Sequence, residues 1–230
     1  MSTRQLKLFD DIFLSSRCEL DEARENLQVI KKLGPIIGTD EAGRGALAGP
    51  VVAAAVYLTD EQEEKLLAMN LRDSKLISPS RRERIFQAMN DMNVLWRAYP
   101  GSVDLIDKVN ILQASLYSMR NCVERVAKKL SKPPAFVIAD GNQRIPGINY
   151  DQWILIKADK LIPVVSAASI VAKVVRDRIM TILSSRYPQY NFAKHKGYGT
   201  KVHMQAIKDF GISEIHRRSF CRGVMSKWQE

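Results

Sequence analysis

Apolar residues follow two rhythms along this chain, and the places where one gives way to the other predict its elements. Residues 20–33 have helical spacing and stop at Gly34-Pro35, and a short apolar strand over residues 36–40 follows. Residues 51–58 form a continuous apolar, β-branched run, the mark of a strand buried on both faces. Helical spacing returns over 61–70 and 79–92, the latter opened by Ser78-Pro79. Residues 94–99 read as a third strand. Residues 110–130 carry apolar side chains at 111, 112, 116, 119, 123, 126 and 127, a long amphipathic helix closed by Pro133-Pro134. Strands are predicted at 136–139, ending at Asp140 before a Gly141-Asn142 turn, and at 153–157. Helices follow at 169–187, with apolar pairs at 170/171, 174/175, 179 and 182/183, and at 201–210. A hairpin followed by alternating strands and helices, with no repeat and no low-complexity linker, predicts one α/β domain built on a mixed sheet.

Composition narrows the class. The 230 residues are 46% apolar and 26% charged, which suits a globular chain and excludes collagen, coiled coil and disorder as the main architecture. The net charge of +10 points to a polyanionic partner. Residues 1–33 are neutral, six basic against six acidic, and are expected to be a partly helical extension. Residues 194–230 hold eight Lys/Arg against three acids, so basic density peaks at the C-terminus. Cys18, Cys122 and Cys221 form no CxxC and are expected to be reduced thiols. With no apolar run long enough for a membrane span and no secretory-type start, a cytoplasmic protein is expected.

The candidate chemistry lies in four acids. Asp40, Glu41, Asp140 and Asp159 each follow an apolar run and precede a turn, so they are expected at strand ends, where α/β folds build their sites. Acids gathered there repel one another unless cations lie between them, and all-oxygen donors call for Mg²⁺ or Mn²⁺. Two such ions would clamp the attacking and leaving oxygens of a phosphoryl displacement. Neighbours on a regular strand face opposite ways, so Asp40 and Glu41 are expected to share a site only if the strand ends at them. Gly43-Arg44-Gly45 lets a backbone approach a phosphate or ribose, although an ordinary glycine turn has the same residues. Tyr198, set among Lys194, Lys196 and glycines, suits stacking on a sugar or base, or simple surface packing. His203 and His216 show no metal-ligand spacing and are expected to be structural or surface residues.

In combination these residues resemble ribonuclease HII. The likeness opens with residues 38–55 (GTDEAGRGALAGPVVAAA) and continues with Asp73-Ser74-Lys75, Asn110-Ile111-Leu112, Asp140-Gly141-Asn142 and Lys157-Ala158-Asp159. Residues 166–173 (SAASIVAK), 195–201 (HKGYGTK) and 216–220 (HRRSF) complete it in family order. The resemblance implies a ribonuclease H-like five-stranded mixed sheet flanked by helices, with a C-terminal helical portion closing over the substrate. It implies a catalytic domain over residues 35–230 that cleaves the RNA strand of RNA–DNA hybrids and nicks at ribonucleotides embedded in duplex DNA. Cleavage on the 5′ side of the ribonucleotide is implied, leaving 3′-hydroxyl and 5′-phosphate ends, with a part in DNA replication and repair.

By the same resemblance, Asp40, Glu41, Asp140 and Asp159 are the catalytic, metal-holding carboxylates. Gly43, Arg44 and Gly45 contact the 2′-hydroxyl and nearby phosphates, Tyr198 senses the ribose and stacks on the next deoxyribose, and Lys75 lies near the scissile phosphate. Ala46 replaces a common proline and Ala158 a common glycine, with little loss expected. The related ribonuclease HIII carries a large N-terminal domain and a glutamate as fourth acid, so Asp159 favours HII. Two other readings stay open on the residues alone. One is a basic nucleic-acid-binding module without catalysis; the other is a different metal nuclease, such as one resolving DNA junctions.

Overall fold

The computed structural model describes residues 20–71 and 77–225. Lys75, with the rest of its Asp73-Ser74-Lys75 motif, lies outside the described residues. Among these, a helix α1 (Leu20–Lys31) leads into the hairpin β1 (Ile36–Ala42) and β2 (Val51–Tyr57). Helices α2 (Asp60–Ala68) and α3 (Pro79–Asp91), strand β3 (Leu95–Gly101) and the long α4 (Val103–Ala127) follow. Then come β4 (Phe136–Asp140), β5 (Asp151–Leu155), the single turn α5 (Ala158–Leu161) and α6 (Pro163–Arg186). The last described helices are α7 (Phe192–His195), α8 (Lys201–Phe210) and α9 (Arg218–Met225). No helix among the described residues is long and apolar enough to cross a membrane.

The strands form one mixed sheet in the order β3-β2-β1-β4-β5. The first three are antiparallel, and β1, β4 and β5 are parallel. As the continuous apolar run required, β2 is buried on both faces. On one face Val56, Ile138 and Trp153 pack with Phe86 and Met89 of α3 and Ile170 and Val171 of α6. On the other, Ile37, Ala53 and Val137 pack with Met119, Val123 and Val126 of α4. Local chemistry fixes the helix starts. Thr59 and Gln62 form a capping box on α2, and Ser78 caps α3 ahead of Pro79. Gly38 is required by packing, because a Cβ there would lie 2.5 Å from the backbone carbon of Val164. That close approach seats β1 on the first turn of α6.

Four expectations need correction. Strand β1 does not end at Asp40 but runs on to Ala42, which pairs with Val52. Strand β5 lies two residues earlier than predicted, so Asp159 is on the helical turn α5 rather than at a strand end. Helix α6 starts at Pro163 rather than 169, its first turns buried on every side and so without helical spacing in the sequence. Its buried stripe in the second half is Ala172, Arg176 and Met180, while Ile182 is exposed. Finally, α4 begins before Asn110, whose φ of 71° breaks it into two segments; the Asn110 side chain caps the second by accepting from the Gln113 amide at 3.1 Å.

The C-terminal portion is fastened to the loop that follows β1. The Leu47 amide donates to the Gly197 carbonyl, the Gly49 amide to Ile215, and the Arg217 amide to Leu47, each at 2.8 Å. Asp107 of α4 caps α9 by accepting from the Arg218 and Ser219 amides. The basic tail is thereby held against the end of the sheet where the acids lie.

Candidate active site

Three elements deliver the acids. Asp40 stands on β1, almost fully buried, and accepts a hydrogen bond from the Glu41 amide at 2.7 Å. Asp140 ends β4 and accepts from the Ala158 amide at 2.8 Å. Lys157 takes a left-handed conformation, φ 63°, to turn the chain into α5, and this carries Asp159 inward. Ala158 is buried without positive φ, so the turn makes no demand for glycine at this position. Asp40, Asp140 and Asp159 each offer a carboxylate oxygen within 4.8 Å of the others. At an effective dielectric near 20, two charges at that separation repel by about 3 kcal/mol.

Burial, and then the nearby Glu41 and Asp140 carboxylates, push the pKa of Asp40 well above the ordinary carboxylate range. A buried all-oxygen cluster under such repulsion has the donor set that a hard divalent cation fits.

Glu41 reaches the same cleft although its strand continues. Pairing of β1 with β4 stops at Thr39–Ala139, so from Asp40 onward β1 is bordered only by β2. The open flank lets side chains from both faces reach one cavity. The Glu41 carboxylate meets Arg44 Nη1 at 3.2 Å and does not join the three-aspartate group.

The cleft, about 380 Å³, is lined by Asp40, Glu41, Gly43, Arg44, Gly45, Asp140 and Tyr198, with Arg82, Ser169 and Lys173 contributing. Asp159 lies buried beside it. Gly43 has φ +95°, and a Cβ there would lie 1.9 Å from Arg176 Nε.

Residue reasoning missed two arginines that build this wall. Arg176, fully buried on α6, donates to the Pro50 and Ala48 carbonyls at 3.0 and 3.2 Å. Its guanidinium also lies 5.2 Å from the centre of the Tyr198 ring. Arg217 donates to the Gly49 and Arg44 carbonyls at 3.0 and 2.8 Å. Burial, and then Arg176, push its pKa below the ordinary arginine value. The signal for Arg176 was present: it interrupts an otherwise apolar i, i+4 row of Ala172 and Met180. Arg217 had no such signal, because two adjacent arginines in a basic tail look like a solvated surface.

His195, His203 and His216 are buried together behind Tyr198. Burial pushes His203 and His216 down to about 4, each lowered further by a neighbouring imidazole. Their folded pKa lies below the unfolded value, so the unfolded chain binds more protons between pH 6.5 and 4. The stability they contribute is complete above pH 6.5 and is lost as pH falls towards 4. For the first proton taken up by the pair the loss is on the order of 3 kcal/mol. Urea unfolding at stepwise pH is expected to show this loss, and its reduction in His203→Phe.

The family model of ribonuclease HII matches residues 37–223. Ribonuclease HII of Acaryochloris marina is 45% identical over 185 residues, covering 80% of this chain and 91% of that protein. That of Desulfotalea psychrophila is 46% identical, covering 82% and 81%. Among solved structures, ribonuclease H2 of Pyrococcus horikoshii superposes with a TM-score of 0.66 at 25% identity, over 86% of this chain and all of that one. An Archaeoglobus fulgidus ribonuclease HII, solved in complex with PCNA, also gives 0.66 at 25% identity, over 80% of this chain and 94% of that one. With a family match over residues 37–223, the chain belongs to the ribonuclease HII family, metal-dependent nucleases that act on the RNA strand of RNA–DNA hybrids.

Proposed function

We propose that this chain hydrolyses the phosphodiester on the 5′ side of a ribonucleotide, both within RNA–DNA hybrids and at single ribonucleotides embedded in duplex DNA, leaving 3′-hydroxyl and 5′-phosphate ends. The observation carrying this reading is the convergence of aspartates from three elements within 4.8 Å, beside a cleft that the glycine-arginine-glycine loop and Tyr198 also line. Asp40, Glu41, Asp140 and Asp159 would hold two divalent ions, Mg²⁺ or Mn²⁺. When bound, such ions supply an acidified water and neutralise charge on the leaving oxygen.

The remaining tasks fall to the chain itself. Arg44 lines the cleft, half exposed and paired with Glu41. A Cβ added at Gly45 meets nothing within 4 Å among the described residues, so their packing does not demand glycine there; the room suits a ribose and its phosphates. The 2′-hydroxyl both donates and accepts, which lets that backbone tell RNA from DNA. Tyr198 rests one face near Arg176 and keeps 37% of its surface exposed, enough to stack on a sugar. Lys75 is assigned beside the scissile phosphate by resemblance alone. We further assign residues 35–230 to the catalytic domain, with 1–34 an extension and 194–230 its basic helical portion, acting as a monomer in the cytoplasm.

The test is cleavage of a labelled DNA duplex holding one ribonucleotide, with Mg²⁺, with Mn²⁺ and with EDTA. A metal-dependent nick 5′ to the ribose is expected. Cutting only within a continuous hybrid would remove the ribose-sensing role of Tyr198, and no cutting of either would favour a binding module. Tyr198→Ala is expected to lower cleavage at the single ribonucleotide about tenfold, the scale of one lost stacking contact. Equal loss on the continuous hybrid would count against the role.

A further inference from the structure

Behind Tyr198 runs a buried chain of hydrogen bonds that begins and ends on backbone. The Ser213 amide donates to His216 Nδ1 at 2.9 Å, which leaves the proton of that ring on Nε2. His216 Nε2 lies 3.0 Å from His203 Nε2, which must therefore accept. The proton of His203 is then on Nδ1, and it donates to the Tyr198 carbonyl at 3.0 Å. A third ring flanks the pair. His195 stacks on His203 with centroids 4.4 Å apart, accepts from the Gly197 amide on Nδ1 and donates from Nε2 to the Tyr190 carbonyl. One arrangement of three neutral rings satisfies every nitrogen, and an extra proton on any of them would set two N–H groups facing each other.

The chain has one output at each end. At one end is Tyr198, whose carbonyl also accepts from the Thr200 amide at 2.8 Å. At the other, His216 adjoins Arg217, which grips the Arg44 and Gly49 carbonyls. Tyr198 and the glycine-arginine-glycine loop stand on the same cleft, so the two rings join the supports of both. Apolar side chains could fill this space among Tyr190 and Phe192 without the cost of burying imidazoles.

We propose that His203 and His216 are positioning residues that fix the Tyr198 backbone relative to the Arg44 loop and thereby set the preference for a single embedded ribonucleotide. The inference rests on the reading of Tyr198 given above and goes beyond it by naming what holds that residue. It does not require either histidine to touch substrate.

The experiment pairs breaking and conserving substitutions. His203→Phe keeps the ring plane and removes both nitrogens, whereas His203→Asn retains a donor near the Nδ1 position. His216→Phe and His216→Gln form the corresponding pair, the latter retaining the donor near Nε2. Each is assayed on the single-ribonucleotide duplex and on a continuous hybrid, in wild-type and Tyr198→Ala backgrounds, with a melting curve to confirm folding. His203→Phe is expected to lower kcat/KM about tenfold on the single ribonucleotide and less than about twofold on the hybrid, with Asn restoring most of the loss. In the Tyr198→Ala background the histidine change is expected to add nothing further.

Equal loss on both substrates, or an undiminished effect without Tyr198, would overturn the proposal. If Tyr198→Ala itself shows no substrate preference, the reading of Tyr198 fails, and that outcome is visible before any histidine variant is made. Should His203→Phe not fold, the His216 pair gives the same comparison. Ring ¹⁵N spectra of the wild-type protein supply an independent check, with the His203 proton expected on Nδ1; a proton on Nε2 would break the chain.

Discussion

Asparagine in place of Asp40 is expected to lower cleavage by at least about 1,000-fold, roughly 4 kcal/mol of lost transition-state stabilisation, with hybrid binding near normal. The substitution keeps the shape of the side chain and the oxygen that accepts the Glu41 amide, so the local backbone has no reason to move. What it removes is one of three carboxyl groups whose oxygens lie within 4.8 Å of one another. The same change relieves repulsion in the metal-free protein, whose melting temperature is expected to rise by about 2–4 °C for each kcal/mol recovered. Added Mg²⁺ or Mn²⁺ should then stabilise wild type but hardly stabilise the variant. Asp140→Asn is expected to behave alike. Near-normal turnover in either variant would remove these aspartates from the reaction, and a drop in melting temperature would show that their charge supports the fold.

Alanine at Gly43 and alanine at Gly45 are expected to fail in different ways, although one residue separates them. At Gly43 a Cβ would lie 1.9 Å from Arg176 Nε, and the backbone needs a φ of +95° that alanine resists. Arg176 cannot withdraw freely, because it holds the Pro50 and Ala48 carbonyls and underlies Tyr198. Overpacking and strain together cost about 3 kcal/mol, a fall of roughly 6–12 °C in melting temperature for a chain of this size. Cleavage should drop by about 100-fold as the Arg44 loop and Tyr198 move together. Gly45→Ala has open space around it and should melt as wild type does. Its cost should appear as a raised KM, since the added methyl group takes room assigned to substrate. Parallel melting curves and steady-state kinetics on one hybrid separate the two cases; identical behaviour of both variants would refute the distinction.

The legible part of the fold was the part written in local periodicity. The apolar run of β2, the strand ending at Asp140, the Ser78-Pro79 start of α3 and the helix 201–210 all lie where the pattern put them. Helix α6 was cut short in sequence because residues 163–172 are buried all round by the sheet and neighbouring helices, which erases the 3.6-residue signal. For the cleft, residue type and position singled out Asp40, Glu41, Asp140, Asp159, the Gly43–Gly45 loop and Tyr198; all but Asp159 line it, and Asp159 is buried with a carboxylate oxygen within 4.8 Å of those of Asp40 and Asp140. The resemblance added their roles, and Lys75, to that reading.

By itself the sequence determined which segments become strands and helices, and that acids, glycines and an aromatic stand where turns follow. Those signals act over a few residues, through side-chain spacing and backbone preference. The tertiary structure alone decided that Asp40 and Asp140, a hundred positions apart, stand on neighbouring strands. It also decided that β1 loses its β4 neighbour at Thr39 and so opens a flank to Glu41. Arg176 and Arg217 belong to the same class. Their meaning depends on carbonyls more than a hundred residues away, supplied by sheet order and by the folding back of the C-terminal portion, and no local pattern encodes either.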